Sequence, residues 1–370
     1  MSMDPPPISA ALGTVLHGMS AVHSALLIVL APVYYAIHDV LYFVLHLVGL
    51  ARAFPIQKPS GTFHPVVLVT GASSGIGKEI ALNLAENVEV KAEARFRGVS
   101  VRLEPILLDV IDPTAIANAV RTLESHSGDH GLAALVNVAG GVICGPLASL
   151  PLAIFQHALD SEVNGAFALT RALWPLLRKG HGRVLNVSSA GSDALGPGFG
   201  SYHAAKAALT AMTLVWRAKG VVDGVAVSAV EPGAIRTPAY IKALESLSQN
   251  SPTNPSVASS LQASPLTTDP DSPCSATLHS RTQLLAKNIA TGFYHLGIPP
   301  SHVARDVRHA LTSRFPARRY RTGLDSAAVY MWSKLIPGWV ADVVMAACVG
   351  FGARAPAGVV NGISEKVKGQ

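Results

Sequence analysis

A long apolar stretch near the N-terminus dominates the hydrophobic pattern of this chain. Between Ala21 and Leu50 the only formally charged side chain is Asp39, and Pro32 interrupts the run. A helix crosses the hydrocarbon core of a bilayer in about 20 apolar residues, so this stretch can span a membrane with tilt or a break. A carboxylate at mid-membrane costs about 2.5–3.5 kcal/mol. The pattern therefore predicts a span over Ala21–Ile37 with Asp39 near an interface, or a broken hairpin.

The charges around this stretch indicate an anchor rather than a cleaved signal peptide. A signal peptide begins with a basic region, whereas the first Lys or Arg here is Arg52, and Lys58 follows it. Positive charge on this flank favours a cytosolic main domain. We expect a tail (1–20), a membrane anchor (21–53) and a linker (54–64), placed in the endoplasmic reticulum or another endomembrane. The alternative is an amphipathic or core helix of a soluble protein.

The pattern changes at Pro65, where a strand, a turn and a helix follow one another. The apolar run Pro65–Thr70 leads into the turn Gly71-Ala-Ser-Ser-Gly75-Ile-Gly77, and a segment with helical spacing comes next. Glycines let the backbone turn tightly and let a pyrophosphate approach it. The free N–H groups and positive dipole end of the helix then bind the phosphates. This combination predicts a nucleotide site.

Composition and charge exclude several classes of protein. The chain is 49% hydrophobic and 14% charged, which excludes a disordered protein. The net charge is +6, but the basic residues form no runs, so we expect no nucleic-acid surface, while anionic cofactors or lipids remain compatible. Cys144, Cys274 and Cys348 lie far apart, which argues against a disulfide scaffold and against a zinc or other metal site.

Three polar residues further along carry candidate chemistry. Ser189 ends an apolar strand-like run, Tyr202 follows thirteen residues later, and Lys206 four residues after that. If Ser201–Arg217 is helical, the tyrosine and the lysine lie one turn apart on one face. A phenol with a pKa of about 10 is a poor acid–base at neutral pH, but a nearby ammonium favours the phenolate. With a serine hydroxyl on the reacting oxygen, these groups could move a proton while a cofactor moves a hydride.

The order of these and further segments resembles the short-chain dehydrogenase/reductase family. The motifs are T-G-A-S-S-G-I-G, L-D-V, V-N-V-A-G, V-S-S, Y-H-A-A-K and E-P-G-A-I-R-T, over Pro65–Thr237, with a weaker match to about residue 350. The segment R-Y-R-T-G-L-D, from Arg319 to Asp325, is similar to members acting on lipophilic alcohols, such as retinol and hydroxysteroid dehydrogenases. The resemblance implies an α/β fold, a doubly wound parallel Rossmann sheet over 65–350, with NAD or NADP as cofactor. It also implies a lipophilic alcohol or carbonyl as substrate, and homo-oligomers.

The resemblance further implies roles for individual residues. Ser189, Tyr202 and Lys206 take the catalytic positions. Contacts with the dinucleotide, to which Tyr202 and Lys206 also contribute, are implied for Gly71, Ser73, Ser74, Gly75, Ile76, Gly77, Asp109, Val110, Asn137, Ala139, Gly140, Pro232, Gly233, Ile235 and Thr237.

Two departures from the family pattern put the activity in question. Only 32 residues separate Gly77 from Asp109, which leaves room for a helix and a strand at Ile106–Leu108 but shortens the region of the second strand. Arg95 and Arg97 are candidates there for contact with a 2′-phosphate, although solvated or packed arginines would look the same. A deletion or a faulty gene model is another interpretation.

The second departure is Glu162, three residues before Gly165, where the family often has an asparagine; Asn164 lies at a different angle on a helix. A carboxylate there could hold a water or pair with Lys206. These departures leave a second hypothesis, a membrane-bound nucleotide-binding protein without turnover. Beyond the site, the Ser- and Pro-rich stretch 245–282 predicts a flexible insertion near the substrate, and 351–370 a C-terminal tail.

Overall fold

The structure is a computed structural model, which describes residues 10–47, 65–86, 103–147, 150–193, 196–249 and 273–348. Within these residues five parallel strands form one sheet, and their spatial order follows their order in the chain. The strands are β1 (Val67–Val69), β2 (Ala134–Asn137), β3 (Arg183–Val187), β4 (Ala226–Pro232) and β5 (Arg319–Thr322). β2, β3 and β4 are buried along their whole length, as expected for strands covered on both faces.

Helices connect the strands and cover the sheet. They are α1 (Ala10–Leu47), α2 (Gly75–Glu86), α3 (Pro113–Ser127), α4 (Leu152–Leu159), α5 (Gly165–Lys179), α6 (Gly200–Asp223), α7 (Pro238–Gln249), α8 (Pro273–Leu296), α9 (Ser301–Thr312), α10 (Leu324–Leu335) and α11 (Gly338–Cys348). A π-helical turn, Asp160–Asn164, joins α4 to α5.

The hydrophobic core lies on both faces of the sheet. Neighbouring residues of β2 point to opposite sides, so that Val136 belongs to a cluster with Ile80 of α2, and Leu135 to a cluster with Leu173 of α5. α9 completes the first layer, and α3 completes the second. This arrangement confirms the predicted doubly wound parallel sheet.

The predicted strand at Ile106–Leu108 does not form. Ile106 and Leu108 pack on the core, while Leu107 between them is 98% exposed. The segment thus alternates like a strand, but among the described residues β1 pairs only with β2. β1 is three residues long, which leaves little edge for another strand. The region of the second strand, with Arg95 and Arg97, lies outside the described residues.

α1 is one continuous helix through Pro32, not a broken hairpin, and it packs on the α/β domain. Ser20 Oγ donates to the carbonyl oxygen of Gly297 over 2.9 Å, and Arg305 donates to that of Leu27 over 3.0 Å. Asp39 accepts a 3.0 Å hydrogen bond from Ser313 Oγ. The sequence predicted that this carboxylate lies near a membrane interface. In the structure it has a hydrogen-bond partner on the α/β domain.

The opposite face of α1 is apolar and exposed. Gly18–Leu41 is, among the described residues, the one helix segment long and apolar enough to cross a membrane. The exposed large side chains of this face include Val22, Ile28, Val29, Val33, Ile37 and Val40.

The stretch predicted as a flexible insertion is helical at both described ends. α7 continues to Gln249 and α8 begins at Pro273, because the apolar residues of α8 pack against α7, as Ala286 and Ala290 do beside Ala243. Residues 250–272 and the predicted tail at 351–370 lie outside the described residues.

Candidate active site

A cavity of about 630 Å³ opens where the strands β1 to β4 end. In open α/β sheets, ligands bind at the carboxyl ends of the strands. The cavity wall contains most of the residues implied by the family resemblance: Gly71, Ser73, Ser74, Gly75, Ile76, Gly77, Ala139, Gly140, Ser189, Tyr202, Lys206, Pro232, Gly233, Ile235 and Thr237. The fold therefore brings together segments that lie up to about 165 residues apart in the chain.

The glycine turn after β1 forms one end of the cavity. Gly71 and Gly75 have positive φ angles of 64° and 55°, which glycine adopts without strain. A Cβ atom on Gly77 would overlap the carbonyl oxygen of Gly71, so the first turn of α2 passes directly over the turn. Thr70 Oγ1 accepts hydrogen bonds from the N–H groups of Val138 and Ala139, at 2.9 and 3.0 Å, and ties the turn to the next loop.

This geometry fits a dinucleotide. Gly71, Gly75 and Gly77 line the cavity without side chains. The N-terminus of α2 begins at the same place, and the first N–H groups of a helix, at its positive dipole end, have no partner within the helix.

Ser189, Tyr202 and Lys206 meet in the middle of the cavity. Ser189 and Tyr202 both line it, and the Ser189 hydroxyl is close enough to act on the pKa of Tyr202 as a hydrogen-bond partner. Lys206 Nζ, one turn along α6, lies 5.8 Å from the centroid of the Tyr202 ring. Ser189 Oγ also accepts a 3.0 Å hydrogen bond from the N–H of Gly191, which fixes its direction. The adjacent Ser188 points elsewhere: its hydroxyl donates to the carbonyl oxygen of Lys206 over 2.9 Å.

Burial and the neighbouring polar groups act on the pKa of Tyr202 in opposite directions. Burial raises the pKa of Tyr202, while the ammonium of Lys206 and the hydrogen bond with Ser189 act to lower it, and the net direction is upward. The sequence predicted a phenol whose pKa Lys206 lowers, but burial outweighs that effect. Burial lowers the pKa of Lys206, but the carboxylate of Glu162 and the phenol of Tyr202 more than compensate, so this pKa is raised.

Three residues implied by the resemblance do not line the cavity. Asp109 is exposed, and its carboxylate accepts a 3.0 Å hydrogen bond from the N–H of Ile111 within its own turn. Val110 is buried against Gly165. Asn137 is buried and donates to Asn186 Oδ1 over 2.8 Å. In the structure these residues shape the loops beside the cavity.

Other residues of the cavity were not among the candidates. Glu162 is 3% exposed and contacts Lys206, whereas the nearby Asn164 is exposed and donates to Asp160. Tyr240, in the first turn of α7, also lines the cavity. The spacing from Gly165 had singled out Glu162 as a departure from the family pattern that could hold a water or pair with Lys206, and the structure shows the pair. No sequence signal marked Tyr240. Among the described side chains, no cluster of three His, Cys, Asp or Glu could hold a metal ion.

Comparisons with known proteins agree with this geometry. Residues 65–247 match the model of the short chain dehydrogenase family. Retinol dehydrogenase 5 of Homo sapiens is 33% identical over 300 residues, which cover 75% of this chain and 87% of that protein. The 11-beta-hydroxysteroid dehydrogenase type 2 of Homo sapiens is 31% identical over 183 residues, covering 46% of this chain and 45% of that protein.

A solved structure shares the fold. The short chain dehydrogenase of Burkholderia cenocepacia J2315, in complex with NADP, superposes with a TM-score of 0.52 at 19% identity, covering 76% of this chain and 97% of that one. Taken together with the glycine turn and the family match, these relatives identify the chain as a member of the short-chain dehydrogenase/reductase family, an NAD(P)-dependent oxidoreductase that acts on CH–OH groups.

Proposed function

We propose that this enzyme interconverts a lipophilic alcohol and its carbonyl compound, and that Ser189, Tyr202 and Lys206 carry the proton transfer. The observation that carries the proposal is the meeting of these three side chains in one cavity with the glycine turn. Such a reaction requires an acid–base group beside the oxygen of the substrate. In this type of sheet, ligands bind at the carboxyl ends of the strands, where these side chains lie.

Each of the three residues has a distinct task. The hydroxyl of Ser189 binds the oxygen of the substrate and orients it toward Tyr202. In the oxidation, the phenolate of Tyr202 takes the proton of the alcohol as the C–H bond breaks; in the reduction, the phenol returns that proton to the carbonyl oxygen. Lys206 stabilises the phenolate by its positive charge. When bound, the nicotinamide dinucleotide accepts the hydride of the alcohol carbon or donates it to the carbonyl carbon.

The protein supplies binding groups for this dinucleotide along the cavity wall. The turn Gly71–Gly77 would hold the pyrophosphate, and the loop with Ala139 and Gly140 would face the adjoining ribose. Pro232, Gly233, Ile235 and Thr237 would pack beside the nicotinamide. Asp109, Val110 and Asn137 stay proposed contacts for the adenosine half, although their described side chains lie outside the cavity wall.

Support for a lipophilic substrate comes from the remaining wall of the cavity. It includes the apolar residues Val142, Ile143, Leu150 and Ile154. An apolar substrate that buries its surface against this wall stabilises the complex by about 25 cal/mol per Å² of apolar area removed from water. The names of two relatives point the same way, toward retinol and a hydroxysteroid.

We also propose that the protein is associated with an endomembrane. α1 contacts the domain through Ser20, the carbonyl oxygen of Leu27 and buried side chains such as Leu27, and it exposes an apolar face on the other side. Trp332, Leu335 and Trp339 of α10 and α11 are exposed as well, and tryptophan is enriched at membrane interfaces. A substrate dissolved in the bilayer would then reach the enzyme from the membrane, while the domain itself faces the cytosol.

A substrate panel tests the proposed function. Purified full-length protein in phosphatidylcholine vesicles would be assayed for nicotinamide reduction with retinol, a hydroxysteroid and, as a water-soluble control, glycerol, each with NAD and with NADP. We expect turnover with at least one lipophilic alcohol and none with glycerol. Folded protein that binds the dinucleotide but turns over none of the alcohols, or turns over glycerol best, would contradict the proposal.

A further inference from the structure

Glu162 lies on the only π-helical turn among the described residues. This turn, Asp160–Asn164, inserts one extra residue between α4 and α5, which otherwise run on as one helix. Such insertions are rare and occur frequently at functional sites, because they redirect a side chain. Here the redirected side chain is Glu162, which is buried and lines the active-site cavity.

The two carboxylate oxygens of Glu162 have separate partners. Oε2 accepts a 2.6 Å hydrogen bond from Lys206 Nζ, and Oε1 accepts a 3.0 Å hydrogen bond from the N–H of Gly141. A Cβ atom on Gly140 would overlap the carboxylate, so the backbone leaves room for it. Glu162 therefore joins the loop after β2 to the ammonium of Lys206.

Stability alone does not account for this buried ion pair. The removal of two charges from water costs several kcal/mol per ion, and well-packed apolar residues in place of a buried pair are often neutral or stabilising. The pair is also aimed at the reacting groups, since Lys206 lies beside the ring of Tyr202.

The charge of Glu162 acts on Tyr202 through space. An anion beside the ammonium of Lys206 offsets its positive field at the phenol, and the pKa of Tyr202 is accordingly pushed upward by Glu162. Lys206 lowers the pKa of this phenol, and Cys144 raises it. The ring of His203 lies 5.8 Å from that of Tyr202, between centroids, and Tyr240 lies nearby on α7.

We propose that Glu162 is a positioning residue that holds Lys206 against the loop of Gly140 and Gly141 and moderates the action of this lysine on Tyr202. The inference rests on the proposed role of Tyr202 in proton transfer. It differs from the family pattern, in which an asparagine without charge stands three residues before the same glycine.

The ionisation of Tyr202 tests the proposal without any need for turnover. Near-ultraviolet absorbance of the phenolate would be followed against pH in the wild-type protein and in Glu162→Gln, each corrected with the same protein carrying Tyr202→Phe. The glutamine keeps the shape and removes the charge. At a fixed alkaline pH below the onset of unfolding, we expect roughly tenfold more Tyr202 phenolate in Glu162→Gln, a shift of about one pH unit toward acid.

Two further variants keep the result interpretable. Glu162→Asn removes the same charge and replaces Glu162→Gln if that protein does not fold, while Glu162→Asp keeps the charge and should retain most of the wild-type ionisation. Glu231→Gln is the matched control, because Glu231 is also buried and paired, with Arg319 at 2.6 Å, but outside the cavity wall. Glu231→Gln should lower the thermal stability and leave the fraction of Tyr202 phenolate at each pH unchanged.

The possible outcomes separate this inference from the proposed function. Equal phenolate in the wild-type protein and in both neutral variants overturns the role of Glu162, whether or not the enzyme turns over. A shift that is confined to the neutral Glu162 variants supports it, even if the substrate panel shows no reaction. Where turnover is found, the acid limb of the pH profile for alcohol oxidation should move with the phenolate signal.

Discussion

The backbone of Gly77 packs so closely against that of Gly71 that no side chain fits at position 77. A Cβ atom on Gly77 would overlap the carbonyl oxygen of Gly71, and this oxygen belongs to the backbone and cannot swing aside. The start of α2 is thereby held directly against the turn after β1, and its first residues, Gly75, Ile76 and Gly77, line the cavity. The close approach is what makes this turn suitable for a phosphate group.

Replacement of Gly77 by alanine should weaken dinucleotide binding. The added methyl group must displace the turn, and such overpacking costs about 1–3 kcal/mol, which, if it falls on the bound state, corresponds to a loss of roughly five- to 150-fold in affinity. Fluorescence titration with NADH and NADPH measures the change.

The matched control is Gly292→Ala, near the C-terminal end of α8, where a Cβ atom meets nothing within 4 Å. We expect unchanged affinity and a small gain in stability, because alanine favours the helix. If Gly77→Ala bound the dinucleotide as tightly as this control, the assignment of the turn would be wrong.

The two serines after β3 should respond differently to alanine. Ser189→Ala removes the hydroxyl that acts on Tyr202 as a hydrogen-bond partner and should lower kcat by about a hundredfold with little change in stability. Ser188→Ala leaves the buried carbonyl oxygen of Lys206 without this donor and should destabilise the protein by about 1–3 kcal/mol, with a smaller loss in kcat. Steady-state kinetics of both variants measure the change in kcat, and thermal unfolding measures the change in stability. Equal kinetic losses would argue against a special role for Ser189.

The sequence predicted the parts of this site that depend on local spacing. Tyr202 and Lys206 had to lie on one face because they are four residues apart in a helix, and the strand before Gly71 required a turn into α2. Parallel strands then place the ends of β1, β3 and β4 at one edge, so that Ser189 and Thr237 fall beside the glycine turn. These features follow from the periods of the helix and the sheet.

Other features depended on tertiary contacts that local patterns do not contain. The alternation at Ile106–Leu108 is typical of a strand, but pairing needs an adjacent edge, which β1 does not offer among the described residues. The apolar stretch of α1 predicted a membrane span, and its packing on the domain through Ser20 and Asp39 had no signal in the local pattern. The π-helical turn that aims Glu162 into the cavity is likewise invisible in residue spacing.

The raised pKa of Tyr202 has opposite consequences for the two directions of the reaction. Oxidation needs the phenolate, so kcat/KM for the alcohol should still be rising with pH at about pH 9, below the pKa of a phenol raised above its usual value near 10. Reduction needs the phenol, and its kcat/KM should stay level through neutral pH and fall only in the alkaline range. Profiles in both directions check this. A fall of the reduction rate between about pH 6 and 8 would point to another acid.

The exposed face of α1 should contribute to membrane binding. Val29 and Ile37 are each more than 60% exposed on this face, and their joint replacement by asparagine should weaken binding to phosphatidylcholine vesicles by roughly tenfold, since apolar contact with the bilayer is lost without added charge. Vesicle flotation measures the bound fraction. Val222→Asn on α6, where Val222 is 79% exposed, is the control and should bind like the wild-type protein. Equal binding of all three proteins would exclude this face.

The replacement of Tyr202 by phenylalanine tests the account most directly. The variant would be compared with the wild-type protein for nicotinamide reduction on the best lipophilic alcohol of the panel, with dinucleotide affinity measured in parallel. We expect the dinucleotide affinity to fall by no more than about tenfold, the loss of one hydrogen bond, and kcat to fall by about a hundred- to ten-thousandfold, because the proton acceptor is lost while the cavity is kept. A Tyr202→Phe enzyme that turns over at the wild-type rate would contradict it.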